Sequence, residues 1–318
     1  VKALVCHQLA DDRSGLRFEP DWPDPPPPGP GEVSVAITAA ALNFPDLLML
    51  SGGYQFHPEL PFIPGTEACG RVMAAGAGVT LPIGSRVIVG ARSGTFAERI
   101  TVPATNVRPV PVGLSDAEAA AFTVGALTAW VGLVERGRLV AGERVLITGA
   151  GGGMGLAAVA LAKALGAAVT AIASSPARLE AARAAGADQL VLADRAAPVI
   201  DAGEIDLVFD PVGGALAMPA LRTLRRGGRY LIIGFAGGRP PPLPLNRALL
   251  KEIEIIGVRA GEQGRQDPAA GRRHIAAIDA HATALRPHIG LSVPLAEAAR
   301  AFDAMAAGTL VGKAVLTP

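Results

Sequence analysis

The chain has 318 residues, half of them hydrophobic and 18% charged, with a formal net charge of +1. That length exceeds what a single hydrophobic core usually serves, so two domains with a ligand-binding cleft are expected, and the composition excludes a disordered chain. Near-neutral charge without runs of Lys or Arg argues against a nucleic-acid or anionic-membrane partner, and two cysteines, Cys6 and Cys69, support neither a disulfide framework nor a four-ligand zinc site.

Apolar stretches are broken by Gly, Pro or charge before they reach the length of a membrane span, and the first residues lack the layout of a signal peptide, so a cytoplasmic address is expected. From Val1 to about Pro111, short β-like runs such as Val33–Ile37, Gly70–Ala74 and Arg86–Val89 are punctuated by Pro and Gly, which predicts a compact, mostly β domain. Pro23–Gly31 reads as a rigid connector. After Ser115, helical stretches at 155–165 and 177–185 alternate with buried-strand runs at Arg144–Ile147, Ala168–Ile172, Leu207–Phe209, Tyr230–Ile233 and Glu254–Val258. This predicts an α/β doubly wound parallel sheet. A helix-like run, Leu295–Ala307, precedes a strand-like end, Gly312–Leu316, that is expected to return to the first domain. The boundaries expected are 1–118 with 260–318 for a substrate domain and 119–259 for a dinucleotide domain.

The strongest local signal is Gly149-Ala150-Gly151-Gly152-Gly153-Met154-Gly155, directly after the strand ending at Ile147 and opening a helix. Glycines allow a tight turn and close approach to a pyrophosphate, and the helix N-terminus offers unpaired N–H groups, so Gly152, Gly153, Met154 and Gly155 are candidate cofactor contacts. At the end of the next strand, where NAD-binding domains place an acid on the ribose, the chain reads Ser174-Ser175-Pro176-Ala177-Arg178. Two hydroxyls and a guanidinium suit a 2′-phosphate that a carboxylate would repel, which favours NADPH, with Ser174, Ser175 and Arg178 as its readers. His274, His281 and His288 lack plausible metal partners and are expected mostly at the surface, and His57 at the entrance to the cleft.

Taken together, ordered landmarks resemble the medium-chain dehydrogenase/reductase superfamily, and within it the zinc-free NADPH:quinone oxidoreductase family that includes zeta-crystallin. They are Ala39-Ala40-Ala41-Leu42-Asn43-Phe44-Pro45-Asp46, Pro61–Glu67, Gly84–Val87, Gly94–Glu98, Thr128-Ala129-Trp130, the glycine loop, Asp210–Gly214 and Gly308–Lys313. The resemblance spans nearly the whole chain. It implies a Rossmann doubly wound parallel sheet beside a mostly β GroES-like substrate domain. Zinc alcohol dehydrogenases of the superfamily carry a Cys near the position of Asn43 and a His just before the Glu, where this chain has Asn43 and Thr66, and Val87–Thr101 contains no Cys for the structural zinc lobe. A bound metal is therefore not expected. The resemblance further places Asn43 and Asp46 near the nicotinamide end and Thr128 near the cofactor phosphates or ribose. Val212, Gly213, Phe235 and Ala236, which follow later strands, are expected to line the cofactor, with Val258 and Lys313 as further candidates.

Without a Lewis acid, the expected acceptors are quinones, or carbon–carbon double bonds activated by a carbonyl, as in 2-enoyl thioesters, enals and enones. NADPH would supply the hydride and the protein orientation and dryness. Tyr54 follows Asn43 at a spacing similar to that of the tyrosine in related 2-enoyl thioester reductases, so it is a candidate proton donor or orienting group, with a packed loop aromatic as the alternative. A cofactor-binding structural or regulatory protein without turnover is the third reading. The resemblance implies that the strand Glu254–Val258 pairs across a two-fold axis, and its apolar Ile253, Ile255 and Ile256 are costly to leave on an open edge, so a homodimer is expected.

Overall fold

The structure, a computed structural model, describes residues 1–194, 199–238 and 242–318. It divides into two compact units, Val1–Thr123 with Ile289–Pro318, and Val124–His288. The first is mostly β, and the strand Glu32–Ala41 runs through its middle. Val33, Val35 and Ile37 alternate inward along it, as a half-buried strand requires. It pairs antiparallel with Glu67–Ala75, with Arg99–Pro103 and, at its end, with Lys313–Thr317. Seven strands form this sheet, and a separate two-stranded sheet joins Ala3–Cys6 to Leu16–Glu19. Its core includes Leu42, Met49, Phe96 and Phe302, the two Phe rings meeting edge to face at 6.3 Å. The C-terminal strand thus returns to the first unit as its pattern predicts. Cys6 and Cys69 are both buried and unpaired, and burial pushes the Cys69 thiol up to about 11, which makes it an inert packing group.

Among the described residues of the second unit six strands lie all parallel, in the spatial order Gln189–Leu192, Ala168–Ala173, Arg144–Ile147, Ile205–Asp210, Leu224–Ile232, Glu254–Gly257. This is the strand order of a dinucleotide-binding sheet, with the order reversing between Arg144–Ile147 and Ile205–Asp210. Leu146, Ile172, Ile205, Val208 and Leu221 pack its interior, each removal from water being worth about 1.5–3 kcal/mol. The α/β expectation, Rossmann sheet plus GroES-like unit, is the architecture observed. No helix among the described residues is long and apolar enough to cross a membrane.

One boundary differs from the expected one and one expectation needs correction. Contacts group residues 260–288 with the sheet-bearing unit, whereas the expected dinucleotide domain ends at 259. The reason is contact: the helix Pro268–Ala280 lays His274 against Glu135 at 3.4 Å, and the ring of His281, just past its end, meets Trp130 at a 45° tilt with centroids 5.4 Å apart. His274, expected at the surface, is accordingly buried, and its Nδ1 has no hydrogen-bond partner. The 3.6-residue period puts Ala270, His274 and Ile278 on one inward face, which a count of metal partners does not reveal.

Candidate active site

The glycine loop sits at the carboxyl edge of the parallel sheet, between Arg144–Ile147 and the helix Gly153–Ala164. Gly149 adopts φ +59°, and a Cβ on Gly155 would lie 2.2 Å from the Gly149 carbonyl oxygen, so loop and helix close up only with glycine at both positions. Gly152 caps the helix without a side-chain bond, leaving first-turn N–H groups available to an anion. A Cβ on Gly125 would lie 3.5 Å from the Gly153 carbonyl oxygen, which brings the helix carrying Thr128 against the same loop.

The Ala150 N–H bonds the Ile172 carbonyl, tying the loop to the strand that ends just before Ser174 and Ser175. Ser175 caps the helix Pro176–Ala184 by accepting the Arg178 N–H, and the Arg178 guanidinium donates to Ser174 Oγ at 3.2 Å. The Arg178 stem packs on Gly151, where a Cβ would come within 2.3 Å of it. Ser174, Ser175 and Arg178 are therefore gathered at one strand end, with no carboxylate among them. Further along the edge, Gly213 at φ +63° lies against Phe235, which is 45% exposed, and the Gly237 N–H bonds the Val212 carbonyl. Val258 is buried at the end of the outermost strand, its N–H held by the Ile232 carbonyl.

The remaining candidates lie in the first unit. Asn43 caps the helix Phe44–Leu50 in a capping box, its backbone N–H donating to Asp46 Oδ2 at 2.7 Å. The Asn43 amide donates to Glu67 Oε1 at 3.0 Å and its carbonyl accepts the Lys313 ammonium at 2.6 Å, while Lys313 also pairs with Glu67 at 2.8 Å. Thr66 Oγ1 lies 3.5 Å from the Asn43 amide. Lys313, expected among the cofactor contacts, is thus engaged inside a buried ion pair. Asp46 is fully buried, its Oδ1 makes no hydrogen bond of good geometry, and that desolvation pushes its carboxyl up to about 7, the Glu67 charge adding and the Asn43 N–H, the Lys313 charge and the nearby Gly65 N–H opposing. Tyr54 is half-buried against the core of this unit, and Arg92 stacks over the neighbouring Phe56 at 3.9 Å.

Sequence reasoning did not single out the buried polar residues Glu67, Thr148, Asp210 and Tyr230. Their signal was present: Asp210 and Glu67 each adjoin an apolar, buried run, where an acid needs partners. Among the described residues no group of three or more His, Cys, Asp or Glu could hold a metal ion.

A nucleotide-binding parallel sheet in one unit and a polar corner in a GroES-like β unit define a two-domain, nucleotide-dependent oxidoreductase. Residues 29–112 match the family described as alcohol dehydrogenase GroES-like domain, and 153–274 match zinc-binding dehydrogenase. Quinone oxidoreductase-like protein 2 of Rattus norvegicus is 33% identical over 326 residues, covering 99% of this chain and 92% of that protein. The quinone oxidoreductase of Thermus thermophilus, solved also in complex with NADPH, superposes with a TM-score of 0.86 at 33% identity, covering 100% of both chains. A mycocerosic acid synthase-like polyketide synthase of Mycobacterium tuberculosis is 35% identical over 302 residues, 89% of this chain but 14% of that protein. The chain belongs to the quinone oxidoreductase-like family of the medium-chain dehydrogenase/reductase superfamily.

Proposed function

We propose that the protein is an NADPH-dependent reductase that passes hydride to a quinone without the help of zinc. The observation that carries this reading is the presence, in one chain, of a glycine-loop edge bearing Arg178 and Ser174 and of a polar corner whose charges are already matched internally. A dication at Asn43, Thr66 and Glu67 would meet the Lys313 ammonium 2.8 Å from the only carboxylate of the three, and neither amide nor hydroxyl is a usual zinc ligand. These residues do not fit the metal. NADPH is matched elsewhere: first-turn N–H groups for the pyrophosphate, and Arg178 with the two serines for the 2′-phosphate. When bound, NADPH supplies the hydride; a proton from solvent completes the hydroquinone. Asn43 and Lys313 hold the corner rigid, and Asp46 holds a proton near neutral pH.

NADPH oxidation by the metal-chelated protein, offered a small ortho-quinone and a 2-enoyl thioester separately, tests the acceptor. Quinone turnover with an inert thioester is expected. The opposite pattern would move the assignment to activated double bonds, the second reading, which the half-buried Tyr54 phenol and the polyketide synthase match favour. Loss of quinone turnover on chelation would refute zinc independence. Arg178→Ala should weaken NADPH binding by about tenfold or more while leaving NADH little changed, the worth of a charge-assisted hydrogen bond. A homodimer through Glu254–Gly257 is part of this reading. Among the described residues that strand ends the sheet with one side open, and the helix Leu245–Lys251 before it leaves Leu245, Leu249 and Leu250 more than three-quarters exposed. Sedimentation showing a monomer at every concentration would remove the dimer.

A further inference from the structure

Asp210 ends the strand Ile205–Asp210, and it is 2% exposed. A carboxylate only accepts hydrogen bonds, and burying one is costly unless donors surround it. Here four do: Thr148 Oγ1, the Val212 and Gly213 N–H groups at 3.0 and 2.9 Å, and the Tyr230 hydroxyl. Three of them converge on Oδ1, and Tyr230 takes Oδ2. Beside burial, the Asp210 charge keeps the Tyr230 phenol far above its ordinary range, so that hydroxyl stays a donor.

The donors do not come from one place. Thr148 stands immediately before the glycine loop, and Val212 and Gly213 form the second loop along the same sheet edge. The main chain of Asp210 holds a third segment, its carbonyl accepting the N–H groups of Ile233 and Gly234 at 3.0 and 3.3 Å. The loops also touch directly: a Cβ on Gly149 would lie 2.7 Å from Val212 Cγ2, and one on Gly214 would lie 2.5 Å from the Gly237 carbonyl oxygen. Spacing along this edge is therefore tight, and one aspartate is the common partner of all three segments. An apolar residue could fill the volume, but it could not draw two successive backbone N–H groups and a threonine hydroxyl to a single point.

We propose that Asp210 is a positioning residue for the cofactor, acting through Thr148 and the Val212–Gly213 backbone to set the spacing of the glycine loop against the two loops that follow it. The inference rests on the NADPH reading above. Because Asp210 is buried and both its oxygens are engaged by protein donors, its effect is transmitted by geometry and should appear in cofactor affinity and hydride transfer rather than in the acceptor preference.

The test measures NADPH dissociation by fluorescence, single-turnover hydride transfer at saturating NADPH, and thermal midpoints, on the full chain. Thr148→Val keeps the shape of the side chain and removes its donor. It should raise the NADPH dissociation constant by about tenfold or more, as expected for losing a hydrogen bond to a charged group. It should also slow hydride transfer at saturation, and Thr148→Ser should restore both. Asp210→Asn, if it folds, should show a larger loss of the same kind. A merely structural role would lower the thermal midpoint but leave the folded fraction with wild-type dissociation constant and transfer rate, and that result for Thr148→Val overturns the proposal. Failure of the wild-type protein to bind NADPH would be distinct, overturning the cofactor reading and this inference with it.

Discussion

Each unit buries acids close to its candidate site, and the two solve the burial problem differently. In the sheet-bearing unit, Asp210 accepts four donors and is saturated. In the β unit, Glu67 is matched by Lys313, but Asp46 has one oxygen bonded to the Asn43 N–H and the other without a hydrogen bond of good geometry. The saturated carboxylate serves as a rigid anchor. The half-satisfied one, its carboxyl raised to about 7 by burial, can take up a proton near neutral pH. Burial alone thus does not decide what an acid does; the number and direction of donors around it do.

The comparison is most sharply tested where a buried charge loses its partner. Lys313→Met should take the cation away from the buried Glu67, costing about 3–5 kcal/mol in urea melts. A loss below about 1 kcal/mol would mean that this pair behaves like a surface one. Asp46 should give the unit a pH signature. Its carboxyl sits at about 7 in the folded chain and near the ordinary aspartate value of about 3.9 when unfolded, so the folded state holds the extra proton between those limits. The stability that Asp46 contributes is thus full below about pH 4 and falls as pH rises toward 7, by up to about 1.4 kcal/mol per pH unit. Wild type should lose stability relative to Asp46→Asn across that window, and parallel curves would show the carboxyl to be ordinary.

On the other side of the comparison, Tyr230→Phe removes one of the four donors of Asp210 and should cost about 1–3 kcal/mol in the same melts. A neutral result would mean that the carboxylate is less completely saturated than the contacts indicate. The smallest effect belongs to a half-exposed pair, Lys163–Asp188, whose side chains are 33% and 45% exposed. Lys163→Met should cost less than about 1 kcal/mol, and a larger loss would blur the distinction between buried and surface pairs on which the comparison rests.

Much of this was legible along the chain. Apolar runs of four to six residues separated by helical stretches announced the parallel sheet, since hydrophobic periodicity and the glycine loop are local properties that survive without three dimensions. The serine and arginine cluster was readable for the same reason, because a strand end and the first turn of the next helix keep Ser174 and Arg178 close in sequence. The histidine on Pro268–Ala280 and the unit boundary at Ile289 were not, because both depend on which surface a helix packs against, and amphipathic spacing alone does not name the partner.

The sequence by itself determined the fold class, the glycine loop, the absence of the zinc-ligand residue types at Asn43 and Thr66, and the hydroxyl and guanidinium corner. All are encoded in residues adjacent in the chain or in the identity of single residues. Only the tertiary structure decided that Lys313 pairs with Asn43 and Glu67 across 270 and 246 positions of sequence. It alone left Asp46 with an oxygen lacking a hydrogen bond of good geometry and made Asp210 the meeting point of three loops. Charge pairing and donor geometry at buried sites are set by strands that meet from distant parts of the chain, and the free energy of a buried ion depends on those neighbours far more than on its own residue type.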